Sequence, residues 1–329
     1  LGRLKKRLLT SKDQREFDAV VAEIVKSIHD NATASVPQPI ELTKWDRVKR
    51  GVDSFFTMHR KAASLMRQMD GFREGPLWDA FVRPMNEAAN NEARMRAEAS
   101  TALHEIFKPL LADGKMSTKQ YIKEIGTSLS REARLSVALN WGNEDNRQRL
   151  ADGFGWNEKQ VGAVLDTLNE TDWAFVQQVW DQLDTYWQRI ADKERRVSGV
   201  VPERVTPAPF LTKFGEVTGG YYPIKYNARL SDNAASNEAA EVARNMLRGA
   251  YTRATTRRGH TLARAESVKG RPVDLTFNTI TGHLSQVTHD LAWHEWLIDA
   301  NRLMRDSKLS AAVRERHGDI VLTEIRKLL

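Results

Sequence analysis

The sequence contains no cysteine. Disulfides and thiolate metal sites are therefore excluded, and a reducing compartment is permitted. It also lacks any run of eighteen apolar residues, so no segment reads as a membrane-spanning helix. Prolines are few, 10 in 329 residues, and they punctuate. Pro37 and Pro39 close a non-periodic stretch, and Pro202, Pro207 and Pro209 end a long helical region. No nucleophile elbow, phosphate loop or dinucleotide fingerprint occurs, and the glycines at 215, 219 and 220 lack the spacing of the last. The 43 acidic residues form no recognisable acid–base motif.

What is present is helical periodicity. A chain of 329 residues can bury a sizeable core. An apolar fraction of 41% and a mean hydropathy of −0.54 suit a helical protein with much exposed surface. The expected fold class is mainly α: an elongated multi-helix bundle with a small β-hairpin element in the C-terminal half. The net charge of +7 and the pI of about 9.5 permit binding to nucleic acid or an anionic membrane without demanding either. The chain begins at Leu1 and ends on an amphipathic run at 320–329, and both ends read as those of a piece of a longer polypeptide.

Three regions are expected. The first, 1–113, holds a helix with Phe17, Val20, Val21, Ile24, Val25 and Ile28 on one face, entered through a capping box of Ser11 and Gln14. It also holds a heptad seam of Trp45, Val48, Val52, Phe55, His59, Ala62, Met66 and Met69. Gly71 and Gly75 end that seam, and Pro76 suits the first turn of the next helix. In the second region, 114–200, Ser117 with Gln120 predicts a short helix, and Ser130, Asn157 and Thr171 are expected N-caps. The third region, 201–329, is expected to carry a hairpin at 214–226 around Gly219-Gly220, a second at 267–277, and helices at 238–251 and 280–305.

Trp173, Trp180 and Trp187 recur every seven residues, with Val176, Leu183 and Ile190 between them. An indole stripe can stack on bases or sugars, but the neighbours Asp172, Asp181 and Asp184 would repel phosphate. Helix packing is the better reading of heptad spacing. The helix is expected to run to about Arg195. His283, Asp290 and His294 share one helix face, but without a fourth ligand they read as a polar seam, and no metal ion or cofactor is expected. The strongest electrostatic feature is Arg244, Arg248, Arg253, Arg257, Arg258, His260, Arg264, Lys269 and Arg271 within 28 residues. Guanidinium forks suit phosphate, so this stretch is a candidate nucleic-acid contact as well as a candidate solvated face.

The strings LSREARLSVALNWGNEDNRQRL (129–150), DWAFVQQVWDQLDTYW (172–187), ERRVSGVVPERV (194–205), GGYYPIKYN (219–227), TRRGHTLARAE (256–266) and HLSQVTHDLAWHEWLIDANRLM (283–304) resemble a region of the large polyvalent proteins of tailed bacteriophages. Some members of that group are internal virion proteins, packaged in the head and ejected with the genome. The resemblance covers about 129–305 and brings no catalytic residue with it. It implies a non-enzymatic structural and interaction module. Its partners would be other virion subunits or further domains of the same long chain, and DNA is a further candidate. It implies an oligomeric assembly located in the virion and, after ejection, in the host cell. The alternatives are a nucleic-acid-binding module built on the arginine stretch, or an enzyme domain centred on the His283 face.

Overall fold

The computed structural model describes residues 2–31, 63–227 and 271–327. The fold is mainly α with two small antiparallel hairpins. The chain divides into two compact units made of non-contiguous segments. Helices α2 (Arg83–Leu111) and α8 (Asn278–Arg305) each contribute to both units.

The first unit contains α1 (Gly2–Asp30), the start of α2, the end of α8, α9 (Ser307–His317) and α10 (Asp319–Lys327). The periodic residues Val21, Ile24 and Ile28 of α1 are buried, with Met66, Met69, Phe81, Met85, Trp293, Trp296, Leu309, Val313 and Ile325 in the same cluster. Of the heptad seam, Met66 and Met69 lie there, while the positions from Trp45 to Ala62 lie outside the described residues. α1 is continuous through Ser11 and Gln14, so these residues do not open a helix. Gly71 and Phe72 both adopt positive φ, 73° and 63°, which reverses the chain after the helical stretch at 63–69. Asp70 completes the turn. Its buried carboxylate accepts from Ser27 Oγ and from the backbone N–H groups of Leu77 and Trp78, which begin the next helical run. That run opens as a π-helical turn, Trp78–Val82, just before Pro84. Proline has no N–H to donate, which favours such a register change.

The second unit holds hairpin β1–β2 (Lys119–Ile122, Thr127–Ser130), α3 (Arg131–Asn140), α4 (Glu144–Phe154), α5 (Glu158–Leu165), α6 (Glu170–Asp184), α7 (Trp187–Val197) and hairpin β3–β4 (Phe210–Thr212, Gly215–Val217). Three expectations are corrected here. The segment at Ser117 and Gln120 leads into a strand, because Ile122 and Leu129 alternate with polar residues and pack inward together. The C-terminal-half hairpin turns at Lys213-Phe214, upstream of the expected Gly219-Gly220. Residues 267–270, where the second hairpin was expected to turn, lie outside the described residues, and Val273 forms an isolated bridge with Tyr226. Ser130 and Asn157 cap α3 and α5 as expected, but Asn169, not Thr171, caps α6.

Candidate functional site

The tryptophan stripe is split between two helices. Trp173, Val176, Trp180 and Leu183 are buried along α6, and Ile190 is buried on α7. Trp187 is half-buried, with the Arg204 guanidinium 5.9 Å from its ring centre. A break at Thr185-Tyr186 separates the helices, where the Thr185 hydroxyl donates back to the Gln182 carbonyl. Trp187 lies past this break and is only half-buried, while Tyr186, beside the break, is buried.

Trp180 is the centre of a buried polar arrangement in the second unit. Its indole Nε1 donates to the Leu139 carbonyl at 3.0 Å, at the end of α3. Two glycines from distant strings lie against this ring. A Cβ on Gly142 would fall 2.6 Å from the indole and 2.7 Å from the Gly220 nitrogen, and one on Gly220 would fall 2.5 Å from Trp180 Cβ. The approach lets the Gly142 carbonyl accept two backbone N–H groups, from Ala208 at 2.9 Å and from Gly220 at 2.8 Å. Gly219 supplies the positive φ, 70°, that turns the chain into this contact.

Two of three linked, buried asparagines bind the 219–222 segment. Asn143 caps α4 with its side-chain oxygen, which accepts from the Asn146 N–H, and its Nδ2 donates to the Gly220 carbonyl at 3.0 Å. Asn146 Nδ2 donates to the Tyr222 carbonyl at 2.9 Å and to Asn140 Oδ1 at 3.3 Å. Asn140 Nδ2 donates back to the Ser136 carbonyl. Arg147 closes the outer side. Its Nε donates to the Trp141 carbonyl and its Nη2 to the Ala208 carbonyl, both at 2.7 Å, and its guanidinium lies 5.2 Å from the Trp141 ring centre and 5.3 Å from that of Phe210. Tyr222 is buried beneath them, and desolvation pushes its phenol far above the ordinary value, with Asp274 and Glu132 adding to the rise.

A buried ion cluster fixes the start of the tryptophan helix. Arg131 pairs with Asp172 at 2.8 Å and also binds Asp113. Asp172 shares a capping box with Asn169, so one carboxylate serves both the cap and the ion pair. Burial lowers the Arg131 pKa, but the two carboxylates outweigh it and the net shift is upward. Arg134 moves the opposite way, because desolvation dominates there.

The remaining sequence candidates are dispersed. His283 lies 3.4 Å from the Tyr221 hydroxyl, and Asp290 is buried in the same unit, whereas His294 belongs to the other unit. Among the described residues, no group of three or more His, Asp or Glu side chains is placed to hold a metal ion. Arg244, Arg248, Arg253, Arg257, Arg258, Arg264 and Lys269 lie outside the described residues, as does the expected helix at 238–251. Arg271 is half-buried, and its carbonyl would lie 2.7 Å from a Cβ on Gly153. The asparagine–glycine joint was not singled out in the sequence as a site. Its signal there is the spacing of Asn140, Asn143 and Asn146 around Gly142, polar residues set between apolar turns. No protein-family model matches the chain, and neither a curated protein nor a solved structure matches it.

Proposed function

We propose that this chain is a structural and interaction module of a large virion protein of a tailed bacteriophage, packaged with the genome and ejected with it. One observation carries the structural half of this reading. The strings LNWGN and GGYY, together with the tryptophan helix between them, converge on one buried joint. There the polar side chains of Asn143, Asn146, Arg147 and Trp180 are spent on backbone carbonyls. Side chains used in this way hold segments distant in sequence in register, the work of a load-transmitting part. The phage context rests on the resemblance of those same strings. The chain's lack of cysteine and its mainly helical make-up suit a protein that must unfold to pass a narrow channel and refold.

The test is to locate the chain. Peptides spanning 129–227 should be found in purified virions and should be lost from particles triggered to eject their DNA. Their absence from intact virions would overturn the proposal. Their retention in emptied shells would keep the structural role and remove the ejection step.

A further inference from the structure

The outward face of the β1–β2 hairpin carries an exposed aromatic ring with lysines close to it in sequence. Register pairs Lys119 with Ser130, Gln120 with Leu129, Tyr121 with Ser128 and Ile122 with Thr127. Cross-strand partners share a face, so Lys119, Tyr121, Ser128 and Ser130 stand on one side and Gln120, Ile122, Thr127 and Leu129 on the other. The second side is anchored. Ile122 is buried, Leu129 packs against the same cluster, and the Gln120 side chain accepts from Arg134 at 2.7 Å. The first side faces water, with Tyr121 64% exposed. Lys123 opens the connecting turn Lys123–Ile125 and is also exposed, as is Lys115 just before the hairpin.

Two features set these cations apart. Neither Lys119 nor Lys123 is in an ion pair among the described residues, whereas Arg131, Arg189, Arg195 and Arg204 of the same unit all are. The single carboxylate within 119–130 is Glu124, and the nearby Asp113 is already taken by Arg131. The exposed phenol ring stands between the two lysines in sequence, with Lys119 about 7 Å away along the strand and Lys123 opening the turn just beyond it. A rigid ribbon offering an open aromatic face flanked by uncommitted ammonium groups matches what a single-stranded nucleic acid presents: unstacked bases and a polyanionic backbone.

We propose that the outer face of this ribbon binds single-stranded nucleic acid, with a base stacked on Tyr121 and phosphates held by Lys119 and Lys123. The site uses none of the residues of the arginine stretch at 244–271 and does not depend on the proposed virion role. A base can stack on Tyr121 only when its own face is open, so the ribbon discriminates against duplex.

The test uses the whole chain and a fluorescein-labelled oligodeoxythymidine, followed by fluorescence anisotropy at several salt concentrations. Tyr121→Ala should weaken binding by roughly 5-fold or more, and Tyr121→Phe should retain it, because stacking needs the ring and not the hydroxyl. The Lys119→Ala, Lys123→Ala double variant should weaken binding and reduce the steepness of log K against log salt by about 1.4, for two phosphate contacts to a single strand. Tyr121→Ala should leave binding to a blunt duplex unchanged. Equal melting temperatures would show that the variants are folded, and if Tyr121→Ala does not fold, the lysine pair decides. The proposal is overturned if the wild-type chain does not bind the oligonucleotide at low salt. It is equally overturned if the variants bind like wild type, or if the lysine variant loses only binding to anionic lipid vesicles.

Discussion

At the scale of single residues, the account turns on how little room surrounds Trp180. The ring is buried, its N–H is spent on the Leu139 carbonyl, and two glycine backbones lie against it. Trp180→Ala should cost about 3 to 5 kcal/mol, from lost burial and the void left behind. Denaturant unfolding measures this, and a loss below about 1 kcal/mol would place the ring outside the core. Asn146→Ala should cost about 1 to 3 kcal/mol, since it removes the partner of the Tyr222 carbonyl inside a buried network. Part of this was legible in the sequence. Trp173 and Trp180 were readable as packing residues because apolar spacing reports a helix face. The asparagines were not, because a buried Asn and a surface Asn look alike until the distant backbone that each one satisfies is known.

At the scale of elements, periodicity told where helices lie but not where they break. Nothing in the composition around Thr185 marks an interruption, and the break follows from which of Tyr186 and Trp187 the core accepts. The β1–β2 hairpin was hidden for a related reason. Four-residue strands carry too few alternations to outvote a capping pattern such as Ser117 with Gln120. Caps make α6 testable on its own. Asn169→Ala should destabilise the second unit by about 1 kcal/mol, the usual cost of losing an asparagine cap, as read from thermal or urea unfolding. α9 carries a pH dependence. Both His317 ring nitrogens are buried without a hydrogen-bond partner among the described residues, and desolvation, with Arg316 adding to it, holds its pKa below the ordinary imidazole value. The folded state therefore keeps the neutral ring while the unfolded chain takes up a proton first. Stability is full above about pH 6.5 and declines as the pH falls below it towards the lower folded pKa. Unfolding curves between about pH 7.5 and about pH 5 should show this decline. His317→Gln should flatten it, and an unchanged slope would place the dependence elsewhere.

At the scale of the molecule, the mainly α class was readable from helical periodicity. The segmental make-up of the two units was not. A unit whose pieces come from both halves of the chain is defined by long-range packing, which leaves no local mark. The central claim is that the distinctive strings form a tight joint that carries structure. The most direct measurement compares two glycines that sequence alone does not tell apart. A methyl on Gly142 would fall at less than contact distance from the Trp180 ring and the Gly220 nitrogen, whereas Gly162, on α5, has open space where a methyl would go. Denaturant unfolding should show Gly142→Ala destabilised by about 1 to 3 kcal/mol, the scale of overpacking a filled site. Gly162→Ala should be stabilised by about 0.5 to 1 kcal/mol, the helix preference of alanine. If Gly142→Ala proves neutral or stabilising like Gly162→Ala, the joint is loose and the account fails.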